Sequence, residues 1–196
     1  MRLFCMFIGL VFASTLTVSA QDVNITPNSP SRSFTINGVT TTISRVQDQS
    51  NQLTGEFTKT SRACPPFCIT PMVIAPGVET IGEIEVMDFL ETRVADGTGL
   101  LIDSRVPEWF AKGSIPGAVN VPFTTLDSAN PYRDEILKAL GGAKDGTNWD
   151  YTEAMTLTLF CNGPWCEQTP RAIQSLIAAG YPPEKLKFYR GGIQLW

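Results

Sequence analysis

From about residue 78 the chain alternates short apolar runs with stretches of helical period, and that alternation limits the fold more than any other feature of its 196 residues. Residues 83–93 carry Ile84, Met87 and Leu90 at helical spacing, with Val86 and Phe89 widening the apolar stripe. Gly97 and Gly99 interrupt the chain before Leu100-Leu101-Ile102, a run that ends at Asp103 and suits a buried strand. Residues 118–121 predict a second short strand, and 132–140 a helix stopped by Gly141-Gly142. Residues 155–160 alternate and are partly β-branched, so they predict a third strand with Cys161 at its C-terminal end. The next helix has Pro170 in its first turn, Ala172, Ile173, Leu176 and Ile177 on one face, and Gly180 as its stop. Residues 187–189 form a last strand. Strands separated by helices predict a parallel α/β sheet. Sites in such sheets form beyond the C-terminal ends of the strands, where Cys161 stands.

The chain ahead of this domain has a different texture. Arg2 is followed by an apolar run over 3–13, and Val18-Ser19-Ala20 then offers a small-residue cleavage site. That is the layout of a secretory signal peptide at 1–20. Ser14, Thr15 and Thr17 interrupt the run too early for a membrane span of about 20 apolar residues. The expectation is therefore a periplasmic or secreted protein with no membrane span after cleavage. Residues 21–75 form a polar extension. Within it Asn37-Gly38, flanked by 33–36 and 39–43, predicts a β-hairpin, because a type I′ turn needs positive φ at both central positions. Cys64-Pro65-Pro66-Phe67-Cys68 follows, stiffened by two prolines. Cys64 and Cys68 are read as a local disulfide in preference to free thiols. A metal site is disfavoured, since four-cysteine zinc sites use tighter pairs than these.

The chain contains no histidine. That removes Ser-His-Asp and Cys-His-Asn triads, histidine-containing zinc sites and c-type haem attachment. Nothing in the residues calls for a cofactor. A net charge of −4 with no block of Lys or Arg argues against nucleic acid as a partner.

The chemistry concentrates in Phe160-Cys161-Asn162-Gly163-Pro164-Trp165-Cys166-Glu167. A thiol between a strand end and a helix N-terminus meets backbone N–H groups and the positive end of the helix dipole, both of which favour thiolate without a base. The same N–H groups can hold an anionic group carried on the sulfur. Equally open from spacing alone are a Cys161–Cys166 disulfide and a Cys161 that is only a small buried residue. Trp165 is either a hydrophobic lid or packing against the extension.

These residues resemble the rhodanese family. The resemblance covers about 76–196 and rests on landmarks in the family's order. They are Ile102-Asp103-Ser104-Arg105, then Glu108-Trp109-Phe110, then Gly113-Ser114-Ile115-Pro116-Gly117-Ala118, then the loop begun by Cys161, then Arg190-Gly191-Gly192 and Trp196. The resemblance implies a rhodanese-like parallel five-stranded sheet with helices on both faces, preceded here by the small β-rich extension. It also implies sulfur transfer. Cys161 would take sulfur from a small sulfane donor, hold it as a persulfide and pass it to a thiol acceptor, which includes a protein thiol. Asn162, Gly163, Pro164, Trp165 and Cys166 would surround that sulfur, and Asp103 and Arg105 would support the loop.

Three departures matter. Ser114 stands where the family usually has His. The loop has no Arg or Lys, so weak thiosulfate binding is expected. Position 167 is Glu, which sets aside the related C-x5-R phosphatase loops. Cys166 adds a candidate resolving thiol. It opens two alternatives to sulfur transfer: a thiol–disulfide oxidoreductase using Cys161 and Cys166, and a non-catalytic binding module with a permanent disulfide. Proline-rich 64–68 is also a candidate cover over the Cys161 loop.

Overall fold

The computed structural model describes residues 23–196; the expected signal peptide at 1–20 lies outside the described residues. The extension contributes a hairpin, β1 (Ser31–Ile36) and β2 (Val39–Ser44), paired antiparallel from Ser31↔Ser44 to Ile36↔Val39. Asn37 and Gly38 take φ of 51° and 80°, as the Asn-Gly turn requires. β3 (Glu79–Ile81) then opens the domain. It leads into α1 (Glu83–Phe89), which continues as a π-helical turn over Leu90–Val94. The helix expected at 83–93 is thus present with a wider last turn.

β4 (Gly99–Asp103) is followed by the short α2 (Pro107–Phe110), β5 (Val119–Asn120) and α3 (Arg133–Ala139). A small antiparallel hairpin, β6 (Ala143–Asp145) and β7 (Asn148–Asp150), precedes β8 (Thr156–Phe160). α4 (Gln168–Ala178), β9 (Leu186–Tyr189) and α5 (Gly192–Leu195) complete the chain. The main sheet has the order β3-β9-β8-β4-β5, and every pairing in it is parallel. β8 is the central strand. The chain forms the five-stranded parallel sheet expected from the sequence, and its N-terminal hairpin is present.

Alternation along the strands divides the core. Ile102, Leu157, Leu159 and Phe188 face one side, packing with Leu137 of α3 and Ala172, Ile173 and Leu176 of α4. Leu101, Phe160 and Tyr189 face the other, with Val86, Phe89 and Leu90. The hairpin docks on that second side through Phe34, which is buried. Burying such a ring stabilises by about 1.5–3 kcal/mol. Gly117 makes the docking possible. A Cβ there would lie 3.1 Å from the Phe34 ring and 3.0 Å from Leu90, and its φ of 85° suits glycine alone. Arg32 fixes the hairpin's direction by pairing with Asp88 and Glu91. Among the described residues no helix is long and apolar enough to cross a membrane.

Candidate functional site at the end of the central strand

Cys161 directly follows β8, so the sheet delivers it to the C-terminal edge between β4 and β9. It is buried and disulfide-bonded to Cys166, with Cα atoms 6.2 Å apart. Cys64 and Cys68 form a second disulfide. Of the three ways to pair the four cysteines among the described residues, the structure holds the two local bridges. Gln168, the first residue of α4, brings its Oε1 to 3.9 Å from Cys161 Sγ. Among the described residues no backbone N–H donates to Cys161 Sγ. The sequence leaves a free thiol among N–H donors and a Cys161–Cys166 disulfide equally open, and the structure holds the disulfide.

The domain side of the loop is anchored by buried charge. Asp103 ends β4 and Arg105 lies two residues on, both essentially inaccessible at 0% and 1% exposure. Arg105 donates from Nε and Nη2 to the Asp103 carboxylate at 2.9 and 2.6 Å. Ser114 Oγ adds a donor to Asp103 at 2.7 Å, and Arg105 Nη2 also reaches the Gly113 carbonyl. Arg105 Nη1 then donates to Asn162 Oδ1 at 3.0 Å. Asn162 is therefore turned toward Arg105 with its side-chain oxygen spent on the anchor. A buried ion pair survives because both partners are satisfied by further hydrogen bonds.

α5 closes the loop from below. Ile193 and Gln194 donate their N–H groups to the carbonyls of Cys161 and Asn162 at 3.0 and 2.9 Å. This requires the backbone at Gly192 to come very close. A Cβ at Gly192 would press into the Cys161 carbonyl and lie 2.7 Å from the Gly163 nitrogen, and its φ is 58°. Trp165 Nε1 donates to Gln194 Oε1 at 2.5 Å. Tyr189, at the end of β9, donates its hydroxyl to Glu83 at 2.9 Å. Burial, then the Glu83 charge, pushes its phenol well above the ordinary range, so it stays a neutral donor.

The extension grips the same loop from outside. The Thr70 N–H and hydroxyl both donate to the Pro164 carbonyl, at 2.7 and 3.0 Å. Arg190 in turn donates from Nε and Nη2 to the Thr70 carbonyl. Phe67 packs edge-on against Trp165 with ring centroids 5.9 Å apart, and the Arg62 guanidinium lies 3.5 Å over the Trp165 ring. Trp165 thus packs against the extension and also lines the pocket beside it. Between extension and loop is a pocket of about 390 Å³. Glu56, Lys59, Arg62, Pro66 and Phe67 line it from the extension, and Trp109, Phe123 and loop residues 162 and 165–168 from the domain. The cations that the loop lacks thus enter from the extension, accompanied by Glu56 and Glu167.

Sequence reasoning placed Cys161, Asn162, Trp165, Cys166, Asp103 and Arg105, and the structure brings all of them together. Gly163 and Pro164 lie in the same loop, Gly163 against α5 and Pro164 under Thr70. It missed Gln168, Gln194, Thr70, Lys59 and Arg62, and it read Arg190 only as part of the closing Arg-Gly-Gly landmark. Gln168 was recoverable, because it opens the helix that begins two residues after Cys166. The contacts of Thr70 and Arg62 span about a hundred residues and leave no local signal.

The family model described as the rhodanese-like domain matches residues 86–196, more than half of the chain. No curated protein matches. Among solved structures, the human single-domain sulfurtransferase TSTD1 is 28% identical over 61% of this chain and 95% of its own, with a TM-score of 0.42. The Saccharomyces cerevisiae single-domain sulfurtransferase RDL2 is 20% identical over 61% and 88%, with a TM-score of 0.42. A Rhodopseudomonas palustris protein described as a possible tyrosine phosphatase is 18% identical over 61% and 79%, with a TM-score of 0.43. The family match supports sulfur transfer as the class of chemistry, and on its extent the chain belongs to the rhodanese-like domain family.

Proposed function

We propose that the protein is a sulfurtransferase that carries a persulfide on Cys161 and works outside the cytoplasm, in the periplasm or after secretion, once residues 1–20 have been removed. The observation that carries this reading is the place of Cys161. It sits directly after the central strand of the family's sheet, with its loop tied to the buried Asp103–Arg105 pair through Asn162. In the reduced protein the Cys161 thiolate attacks the sulfane sulfur of a small donor such as a thiosulfonate. A bond forms between Cys161 Sγ and that sulfur, the sulfane–sulfonyl bond breaks, and sulfinate leaves with the electron pair. An acceptor thiolate then takes the outer sulfur and Cys161 leaves as thiolate.

Cys166 supplies a second exit. Its thiolate attacks Cys161 Sγ of the persulfide, forms the disulfide seen in the structure and expels hydrosulfide. An external thiol must then reopen the bridge. The same bond favours a second reading, a thiol–disulfide oxidoreductase that cycles Cys161 and Cys166 without carrying sulfur.

Turnover of single-cysteine variants separates the two. Sulfur delivery from a thiosulfonate to a small thiol, measured on pre-reduced protein, is expected to persist in Cys166→Ser and to vanish in Cys161→Ser. Loss of delivery in both variants, with disulfide exchange intact in the wild type, would replace the first reading by the second.

A further inference from the structure

We infer that the Cys161–Cys166 bridge is opened from the extension-walled pocket by a small thiol that attacks Cys166, so that Cys161 is released as the thiolate. The two sulfurs are joined but they do not share the same access. Cys166 lines the pocket, together with Trp165, Glu167 and Gln168; Cys161 does not. Cys161 lies behind it at the end of the central strand, with its carbonyl tied to Ile193. In thiol–disulfide exchange, the sulfur that is attacked is decided by access and by which thiol leaves more readily. Access selects the direction here. Attack from the pocket reaches Cys166, and Cys161 departs with the electron pair of the broken bond.

The step balances. The incoming thiolate forms a bond to Cys166 Sγ, the Cys161–Cys166 bond breaks, and its electron pair stays on Cys161. A second thiol then displaces the first from Cys166 as a small-molecule disulfide and leaves both cysteines reduced. The volume of about 390 Å³ suits a small molecule. The lining holds Lys59 and Arg62 as well as Glu56 and Glu167, so it suits a zwitterionic thiol better than a dianion. This inference uses the proposed sulfurtransferase role only for what Cys161 does once it is free.

The test uses the oxidised full chain and cysteine as the probe thiol, with no sulfur donor present. After a brief reaction the mixture is quenched with acid, free thiols are capped with N-ethylmaleimide, and tandem mass spectrometry locates each adduct. The expected product has cysteine on Cys166 and maleimide on Cys161, in excess over the reverse by about ten-fold or more. Equal or reversed labelling, or no adduct on either residue, overturns the inference. Phe67→Ala, which thins the extension wall of the pocket, is expected to speed adduct formation several-fold on the same sulfur. A Phe67→Ala protein whose rate is unchanged also counts against entry by this route. Because the readout precedes any sulfur loading, its failure leaves persulfide formation on pre-reduced protein to be judged separately.

Discussion

The Cys161 loop is held from two sides, and the two grips are made of different physics. On the domain side, Asp103 and Arg105 are wholly buried and reach the loop through Asn162. On the extension side, Thr70, Phe67 and Arg62 reach it through two hydrogen bonds, an edge-on ring contact and a stacked guanidinium near solvent. The first grip lies within the family-matched residues 86–196 and the second lies outside them. The domain-side grip is thus built from residues inside the family match, whereas the pocket over the loop is walled in part by residues ahead of it. A buried pair is costly to break because the orphaned charge cannot be rehydrated, while the ring and guanidinium contacts of the more exposed Phe67 and Arg62 can be released and regained.

That contrast sets the size of the expected effects. Arg105→Ala leaves the Asp103 carboxylate buried and unpaired, and it is expected to cost about 3–5 kcal/mol in denaturant unfolding. A loss under about 1 kcal/mol would mean that the two grips do not differ in kind. Phe34→Ala removes the ring that docks the hairpin and is expected to cost about 2–4 kcal/mol. Hydrogen exchange should place that loss in the hairpin and in the turn at Leu90–Val94, with the β8 amides protected as before. Thr70→Val deletes the hydroxyl bond to Pro164 and keeps the N–H bond, at a cost of about 1 kcal/mol. Its sharper signature is faster iodoacetamide labelling of the reduced loop cysteines. Unchanged labelling would argue that Thr70 does not restrict entry. Arg62→Ala is the smallest change, about 0.5–1 kcal/mol from the stacked guanidinium. It too should raise labelling more than it lowers stability.

Most of the sheet was legible because its strands are apolar runs bounded by glycines and helices. β3 escaped notice because Glu79-Thr80-Ile81 is a three-residue edge strand with one buried side chain, too short to show a period. The β6–β7 hairpin escaped because its residues are almost all exposed and carry no apolar alternation; Gly146, with φ of 58°, was its one local mark. The π-turn after α1 is set by packing against β4 and the hairpin, where Leu90 is wholly buried, and periodicity alone reads it as more α-helix. The site divides in the same way. Cys161, Asp103 and Arg105 were readable because a strand end and a short motif place them. Asn162's use as an anchor was not, since its sequence gives no hint that Arg105 claims its oxygen. The pocket cations were invisible to a reading confined to the loop, because Lys59 and Arg62 belong to a segment with no resemblance to guide it.

One experiment bears most directly on the sulfur-carrying role of Cys161. The full chain is reduced, freed of reductant and incubated with a thiosulfonate, and intact-mass and peptide mass spectrometry then locate any added sulfur. The account predicts one extra sulfur, on Cys161, in the wild type and in Cys166→Ser, and none in Cys161→Ser. Equal loading of Cys161→Ser, or a wild type that takes up no sulfur while its disulfide opens and closes normally, would contradict it.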